Sequence, residues 1–409
     1  MKRSIIILLL ACLPVIVKGR PGPPQPIVLG HIDTIYSNIL KEKRPVWVYT
    51  PSFDTSYFSR PQYPVLYVLD GDGYFMTLVT IIRQLSVVNM NTILPEMIIV
   101  GIPNTPGNRI RDLTPTHNSS MDKSSGGGES FTSFLAKELI PYIDKNYATA
   151  PYRTLMGHSL GGLMVMNTLL KHTDMFNAYV ASDPSMFYDD KNLLKQTEAI
   201  LKQQNFKGRS LFLGIGNTMK EGMDTAQVRK DTTMLTQHIR AILQLADNLK
   251  KHSSNGLRWG SRYYPDDDHA SMATIVQYDA LRFVFKSNRF PRNQPENQYF
   301  DKTISTMKLK KMITDHYRLV SADRGYAVRP PEHVINQFGY IMLQQKDYER
   351  AAMFFQTNID YYPGNFNTYD GMGDYYLAIN DKANAIKYFK KALSLKHTQE
   401  IADKLKKIE

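Results

Sequence analysis

The chain has 409 residues, of which 43% are hydrophobic and 22% are charged. This length favours two domains, and this composition supports a large buried core, which excludes disordered, collagen-like and low-complexity classes. The formal net charge of +12 is compatible with an anionic partner. The chain has no arginine-rich cluster and no nucleic-acid-binding motif, so no nucleic-acid partner is expected.

Residues 1–19 are predicted to be a secretory signal peptide. Two basic residues, Lys2 and Arg3, precede an apolar stretch over residues 4–17 that is too short and too interrupted for a comfortable transmembrane span. We therefore expect secretion across the inner membrane into the bacterial periplasm, with an uncleaved membrane anchor as the alternative. Cys12, the one cysteine, lies inside this segment, so the mature chain is expected to lack disulfides and thiolate nucleophiles. The residues before Cys12 resemble a bacterial lipobox, which leaves lipid anchoring as a further alternative.

Residues 20–290 show short apolar runs that alternate with helical patterns. Each run is followed by a turn signal, and the clearest runs lie at residues 64–69, 97–100, 153–156, 178–181 and 210–215. Continuous apolar runs of this length are typical of parallel strands that are buried on both faces. The alternation predicts an α/β domain with a mostly parallel sheet and helices on both faces.

A polar, helix-breaking segment at residues 292–297 ends this pattern, and residues 300–409 are predicted to be all helical. Small and aromatic residues recur there at a spacing of 34, as in Gly339 with Gly373, Ala351 with Ala385, and Phe355 with Phe389. This is the period of tetratricopeptide repeats, in which small residues let paired helices pack closely and aromatic side chains fill the gaps. We predict a helical domain of this type, which is a candidate surface for a protein partner.

The strongest chemical signal is Gly-His-Ser-Leu-Gly at residues 157–161, between a predicted buried strand and an apolar helix. A G-x-S-x-G sequence in this context is typical of a nucleophile elbow, which predicts Ser159 as the nucleophile. The backbone N–H of Leu160, at the start of the helix, is the predicted donor to an oxyanion. A second donor is expected from the loop after an earlier strand, where the N–H of Gly71 or Asp72 is the candidate.

A serine hydroxyl needs a base to become a nucleophile, and in this fold the triad runs serine, acid, histidine along the chain. His269 follows an aromatic, strand-like run and precedes a helical pattern, so it is the predicted base. The acid is expected after the strand at residues 211–215. We favour Asp224 for this role, and Glu221, Asp231 or a dyad without an acid are the alternatives.

Other polar residues are given less specific roles. Arg111 is expected either to orient an anionic substrate from the cleft or to be a structural arginine paired with Asp112 or another carboxylate. The aspartates at residues 266–268 are predicted to form a solvated turn, and no metal or organic cofactor is expected. Three further histidines lie in helical patterns and are predicted to be surface residues: His172, His238 and His252.

Five ordered motifs resemble the putative-esterase family of α/β hydrolases, and within it the branch of enterochelin (ferric siderophore) esterases. They are LDGDGYF at 69–75, RDLTP at 111–115, GHSLGG at 157–162, DPS at 183–185 and DDDHASM at 266–272. The resemblance covers roughly residues 30–288 and implies an α/β-hydrolase fold. It also implies a serine hydrolase in which Ser159 is the nucleophile and His269 is the base. Siderophore esters, feruloyl esters and acetyl-sugar esters are all substrates within this family, so the ester does not follow from the fold.

The function that these residues favour is that of a secreted serine esterase, acting through an acyl-enzyme on a small-molecule or glycan ester. Two alternatives stay open. An acyltransferase uses the same acyl-enzyme but passes the acyl group to a sugar or lipid hydroxyl instead of water. An adaptor protein uses the helical repeats to bind a partner.

Overall fold

The computed structural model describes residues 26–88, 91–290 and 299–409. The predicted signal peptide, Cys12 and the polar segment at residues 292–297 lie outside the described residues. Across the described ranges, no helix has the length and the apolar character needed to cross a membrane.

One sheet organises the first part of the described chain. Its strands are β1 (His31–Ser37), β2 (Glu42–Tyr49), β3 (Tyr63–Leu69), β4 (Ile98–Ile102), β5 (Thr149–His158), β6 (Ala178–Ser182), β7 (Ser210–Gly216) and β8 (Arg258–Tyr264). Their order across the sheet is β1-β2-β4-β3-β5-β6-β7-β8. Strands β3 to β8 pair in parallel, whereas β1 and β2 form an antiparallel edge. Strands β3, β4, β6 and β7 are buried along their whole length, as parallel strands covered on both faces should be.

Helices cover both faces of this sheet. They are α1 (Gly71–Ser86), α2 (Arg109–Leu113), α3 (Gly128–Phe134), α4 (Ile140–Asn146), α5 (Leu160–Lys171), α6 (Tyr188–Gln203), α7 (Thr225–Val228), α8 (Gln237–Lys251) and α9 (Ala273–Val284). Helices α1 and α9 bury Leu78 and Val276 against one face. Helices α5 and α8 bury Leu163 and Ile239 against the other. The predicted α/β architecture is confirmed.

The second part of the described chain is a stack of helices. They are α10 (Thr306–Arg324), α11 (Glu332–Gln344), α12 (Tyr348–Tyr361), α13 (Phe366–Ala378), α14 (Lys382–Leu395) and α15 (Gln399–Lys406). A Cβ on Gly339 in α11 would lie 2.6 Å from the ring of Phe355 in α12, and one on Gly373 in α13 would lie 2.5 Å from the ring of Phe389 in α14. The same close contact thus recurs one repeat later, which explains why glycine and phenylalanine recur at a spacing of 34.

The helical region packs against the end of the sheet that is formed by the amino-terminal ends of the parallel strands. In the connection between β2 and β3, the N–H of Ser59 donates to the carboxylate of Glu332 at 2.8 Å. The ammonium of Lys396 donates to the carbonyl of Ser56 at 2.6 Å. The carboxyl ends of the parallel strands, where α/β folds place their sites, lie at the opposite end of the sheet. The helical region therefore lies away from the candidate site.

Candidate active site

Ser159 lies in the turn between β5 and α5, at the carboxyl edge of the sheet. Its backbone has φ 59° and ψ −116°, a conformation that costs free energy for a residue with a side chain and that occurs at functional turns. The turn is tightly packed, since a Cβ on Gly157 would lie 2.5 Å from the backbone of Gly161. The structure thus has the strand–turn–helix geometry that a nucleophile elbow requires.

We expect Gly157→Ala to lower the free energy of unfolding by about 1–3 kcal/mol, because the added methyl group overpacks the turn. Gly73→Ala is the matched control, since a Cβ at Gly73 in α1 meets no atom within 4 Å and alanine favours a helix over glycine. Denaturant unfolding followed by circular dichroism measures both variants. Equal unfolding midpoints for the two would contradict the close packing around Ser159.

A line of hydrogen bonds joins Ser159 to two further side chains. His269 Nε2 lies 3.1 Å from Ser159 Oγ, and His269 Nδ1 lies 2.5 Å from Asp183 Oδ2. His269 stands in the loop after β8, and Asp183 directly follows β6. A carboxylate on Nδ1 holds the proton there, which leaves Nε2 free to accept the serine proton. The structure brings the predicted pair of Ser159 and His269 together and adds Asp183 behind them.

Asp183 is fully buried and is held as a carboxylate from several sides. Its Oδ1 accepts the N–H of Gly216 at 2.8 Å, and its Oδ2 lies 2.8 Å from His238 Nε2. Burial alone would raise the pKa of Asp183, but the hydrogen bonds from His238 and His269 outweigh it and hold this pKa well below its usual range. Asp183 is therefore ionised wherever the protein is folded at neutral pH.

Two neighbouring side chains contact the serine and the histidine. Ser185 Oγ lies 3.3 Å from Ser159 Oγ. The imidazole of His158 donates from Nε2 to the backbone carbonyl of His269 at 2.7 Å, which fixes the loop that carries His269. Burial and the nearby His269 lower the pKa of His158, so this ring stays neutral.

The predicted oxyanion donors lie at the starts of two neighbouring helices. Leu160 begins α5, whereas Gly71 and Asp72 begin α1, and the strands before these helices, β5 and β3, are paired. The first N–H groups of a helix have no partner within the helix, so they are available to a developing negative charge. The two turns are in contact, since a Cβ on Gly161 would lie 3.2 Å from Asp70 Oδ2. The roles of these N–H groups as oxyanion donors remain predictions.

Comparison with known proteins adds to this geometry. Residues 37–258, just over half of the chain, match the putative esterase family. The chain belongs to that family. Residues 366–398 of this esterase match a tetratricopeptide repeat, in agreement with the contacts that recur in α11 to α14.

Individual relatives of the esterase also support an ester hydrolase. It is 28% identical to the ferri-bacillibactin esterase BesA of Bacillus subtilis over 244 residues, which cover 54% of this chain and 78% of that protein. It is 25% identical to the siderophore enterobactin esterase of Emericella nidulans over 250 residues, which cover 54% of this chain and 81% of that protein. A solved structure, an IroE-like serine hydrolase from Shewanella oneidensis, shares 30% identity with a TM-score of 0.66 and covers 81% of this chain and 99% of its own. The protein is an ester hydrolase.

The structure corrects the predicted acid of the esterase. The carboxylate of Asp224 accepts two backbone N–H groups of α7, which it caps, and it lies on the surface. Glu221 is exposed as well, and Asp231 binds two threonine hydroxyls. The acid was expected after β7, whereas Asp183 follows β6. Strand β6 lies between β5 and β7 in the sheet, so it ends beside the nucleophile elbow. The signal was present as an Asp-Pro-Ser turn directly after a buried strand.

Two of the helical histidines are not the surface residues that were predicted. The side chains of His238 and His252 are each only 15% exposed. His238 lies in the first turn of α8, where its ring stands 4.8 Å from the ring of His269. A helical pattern reports which face of a helix is apolar, but not that its first turn meets the carboxyl edge of the sheet.

Arg111 has the structural role that was one of its two predicted alternatives. Its Nη2 donates to Glu42 at 2.7 Å and its Nε donates to Asp112 at 2.7 Å. The hydrogen bond from Arg111 lowers the pKa of Glu42 to about 2, so both carboxylates compete with any anionic substrate for this guanidinium. The role of Arg111 in substrate binding is therefore not supported.

A different arginine, which the sequence analysis did not single out, stands next to the loop of the predicted oxyanion donors. Arg109 donates from Nε and Nη2 to the two carboxylate oxygens of Asp70, at 2.7 and 2.9 Å. The side-chain amide of Asn104 also donates to Asp70 at 2.6 Å. Asp70 has a φ of 53° immediately before α1, so these bonds hold the turn that presents Gly71 and Asp72.

The run of aspartates before His269 forms a turn. The carboxylate of Asp268 accepts the N–H groups of Ala270 and Ser271 at 2.9 and 2.8 Å. These bonds shape the loop that carries His269, and they agree with the predicted turn.

Proposed function

We propose that this esterase cleaves carboxylic esters through an acyl-enzyme on Ser159. The single observation that carries this proposal is the line of hydrogen bonds from Ser159 through His269 to Asp183. A serine hydroxyl becomes a nucleophile when a neighbouring base takes its proton, and His269 Nε2 lies at hydrogen-bond distance from it. The strained backbone of Ser159 keeps the hydroxyl at the edge of the sheet.

The first half of the reaction forms the acyl-enzyme. Ser159 Oγ attacks the carbonyl carbon of the ester while His269 Nε2 takes the hydroxyl proton. The N–H of Leu160 and that of Gly71 or Asp72 stabilise the negative oxygen of the tetrahedral intermediate. His269 then gives its proton to the leaving alcohol oxygen, the ester C–O bond breaks, and the acyl group stays on Ser159.

The second half releases the acid and restores the enzyme. His269 takes a proton from a water molecule, and the resulting hydroxide oxygen attacks the acyl carbonyl. When this second intermediate collapses, the bond to Ser159 Oγ breaks and His269 returns the proton to that oxygen. Asp183 stays ionised throughout and stabilises the charged imidazole of His269.

We propose a siderophore ester as the substrate class. The support comes from the relatives, since BesA is a ferri-bacillibactin esterase and the Emericella nidulans relative is a siderophore enterobactin esterase. Feruloyl esters and acetyl-sugar esters are the other candidates, and they belong in the same substrate panel.

We also propose that the mature enzyme acts in the periplasm. The support is the N-terminal pattern of a short basic start, an apolar stretch and a proline-rich segment, which is typical of a cleaved signal peptide. Cell fractionation with N-terminal sequencing tests the proposal, and a soluble periplasmic chain that begins near residue 20 is the expected result. A full-length chain in the membrane fraction would instead indicate an anchor, and a lipid on Cys12 would indicate a lipoprotein.

The activity is tested with the mature protein on p-nitrophenyl acetate and butyrate and on siderophore, feruloyl and acetyl-sugar esters, with the products identified by mass spectrometry. A fluorophosphonate probe, mapped by peptide sequencing, reports the nucleophile. We expect hydrolysis of at least one ester and labelling of Ser159. Labelling of another residue, or the absence of both labelling and hydrolysis, would overturn the proposal. Acyl transfer to an added alcohol in preference to water would indicate the acyltransferase.

A further inference from the structure

The carboxylate of Asp183 contacts two imidazoles, whereas acid–base catalysis by a triad requires only one. Asp183 Oδ2 lies 2.5 Å from His269 Nδ1 and 2.8 Å from His238 Nε2, so both rings meet the same oxygen. In the part of the chain that the structure describes, this is the only group of three or more histidine, cysteine or acidic residues whose ligand atoms all lie within 4.8 Å of one another.

Two imidazole nitrogens and one carboxylate oxygen form a ligand set that binds zinc in proteins. Sites with three protein ligands leave the fourth tetrahedral position to water. Metal–ligand distances of about 2.0–2.2 Å place tetrahedral ligand atoms about 3.4 Å apart. The two separations of 2.5 and 2.8 Å at Asp183 therefore need to open by less than about 1 Å to admit an ion.

The three ligand atoms are already oriented by their surroundings. The N–H of Gly216 binds Oδ1 of Asp183 at 2.8 Å, which leaves Oδ2 as the ligand atom. The ring of His238 packs edge-on against Phe187, with 5.4 Å between ring centres. The second nitrogen of His269 faces the hydroxyl of Ser159. Hydrogen bonds and packing of this kind fix ligand direction and strengthen metal binding.

We infer that Asp183, His238 and His269 form an inhibitory site for a divalent transition-metal ion of the zinc class. The ion is bound by Asp183 Oδ2, His238 Nε2 and His269 Nδ1, and it displaces the proton that Nδ1 donates to Asp183. This proton moves through solvent to Nε2 of the same ring, so the imidazole stays neutral and carries its one proton on Nε2. His238 likewise carries its one proton on Nδ1 when its Nε2 binds the ion. Nε2 of His269 no longer accepts the proton of Ser159, and hydrolysis stops until the ion leaves.

The ion reaches the site from the side of the base. Asp183 is fully buried and the side chain of His238 is 15% exposed, whereas that of His269 is 38% exposed. His158 is not an alternative ligand in this arrangement, because its Nε2 donates to the backbone carbonyl of His269.

Metal binding is tested first without reference to activity. Zn²⁺ binding by the full chain without an affinity tag is measured by equilibrium dialysis, and Co²⁺ binding by the visible absorption of the four-coordinate ion. We expect one equivalent to bind, and Ser159→Ala to bind it too, because serine is not a ligand. His238→Gln should weaken binding by at least about 100-fold, since the loss of a residue that merely orients a ligand already costs about 10- to 100-fold.

Two further variants make the result specific. His172→Gln is the matched control, because His172 pairs with one carboxylate, Glu129 at 3.0 Å, without a second imidazole, and its metal affinity should equal that of the unaltered chain. Asp183→Asn keeps the side-chain volume and should abolish metal binding. It replaces His238→Gln as the test variant if circular dichroism shows that His238→Gln does not fold. Unaltered affinity in His238→Gln or Asp183→Asn, or no bound metal in the unaltered chain, would overturn the site.

The inhibitory effect rests on the proposed hydrolysis and is measured separately. Zn²⁺ should inhibit ester hydrolysis with a midpoint equal to its binding constant, a chelator should restore the rate, and His238→Gln should shift the midpoint as it shifts binding. Bound zinc that leaves the rate unchanged would overturn inhibition. If no ester is hydrolysed at all, the proposed function fails, while the Co²⁺ spectrum still decides whether the site exists.

Discussion

Asp183→Asn is expected to lower kcat by about 10⁴-fold with little change in KM. An asparagine that donates its amide N–H₂ to His269 Nδ1 favours the tautomer with the ring proton on Nε2, which no longer accepts the serine proton. It also lacks the negative charge that stabilises the imidazolium in the transition state. Steady-state kinetics on p-nitrophenyl acetate measure the effect.

Asp224→Asn is the control for this prediction. Asparagine caps a helix about as well as aspartate, and Asp224 is an exposed cap of α7. We expect kcat and KM within about twofold of the unaltered enzyme, since surface changes of this kind cost less than 0.5 kcal/mol. Loss of activity in Asp224→Asn together with an active Asp183→Asn would show that the acid had been assigned to the wrong strand end.

The proposed nucleophile and base could be located from the sequence because each depends on a local signal. Ser159 lies in a turn that only small neighbours permit, and His269 stands between a strand and a helix that periodicity detects. Asp183 was not assigned because its role depends on the order of strands in the sheet. Since β6 lies next to β5, the carboxylate that follows it reaches the histidine without a long loop.

His238 and Arg111 show a second limit. Their roles depend on which charged or aromatic groups the fold brings to them from distant parts of the chain. His238 meets Asp183 across 55 residues, and Arg111 meets Glu42 across 69. Neither separation leaves a local pattern, so composition and periodicity carry no information about either contact.

The helical region was predictable in its repeat but not in its position. The spacing of 34 follows from contacts within each helix pair, whereas docking depends on contacts between distant parts of the chain, such as Ser59 with Glu332 and Ser56 with Lys396. A partner bound to these helices would be remote from Ser159. We therefore expect the repeats to affect where the enzyme is held more than how fast it turns over.

Ser159→Ala and His269→Ala are each expected to lower kcat by about 10⁶-fold, and the double variant to be no slower than either single variant. The two side chains act as one unit: without the hydroxyl there is no proton for the imidazole to take, and without the imidazole the hydroxyl is not a nucleophile. All three variants should keep some rate above that of the uncatalysed reaction. This residual rate measures the contribution to catalysis of substrate binding and the oxyanion N–H groups alone.

Additive effects of the two substitutions on the activation free energy would contradict this prediction. If the losses in the two single variants multiplied in the double variant, Ser159 and His269 would be contributing independently, and the 3.1 Å contact between Oγ and Nε2 would not be the route of proton transfer. Fluorophosphonate labelling gives a second reading, because it requires the hydroxyl of Ser159 and is accelerated by His269. Labelling should be absent in Ser159→Ala and strongly slowed in His269→Ala, since the reagent then meets a serine whose proton has no acceptor.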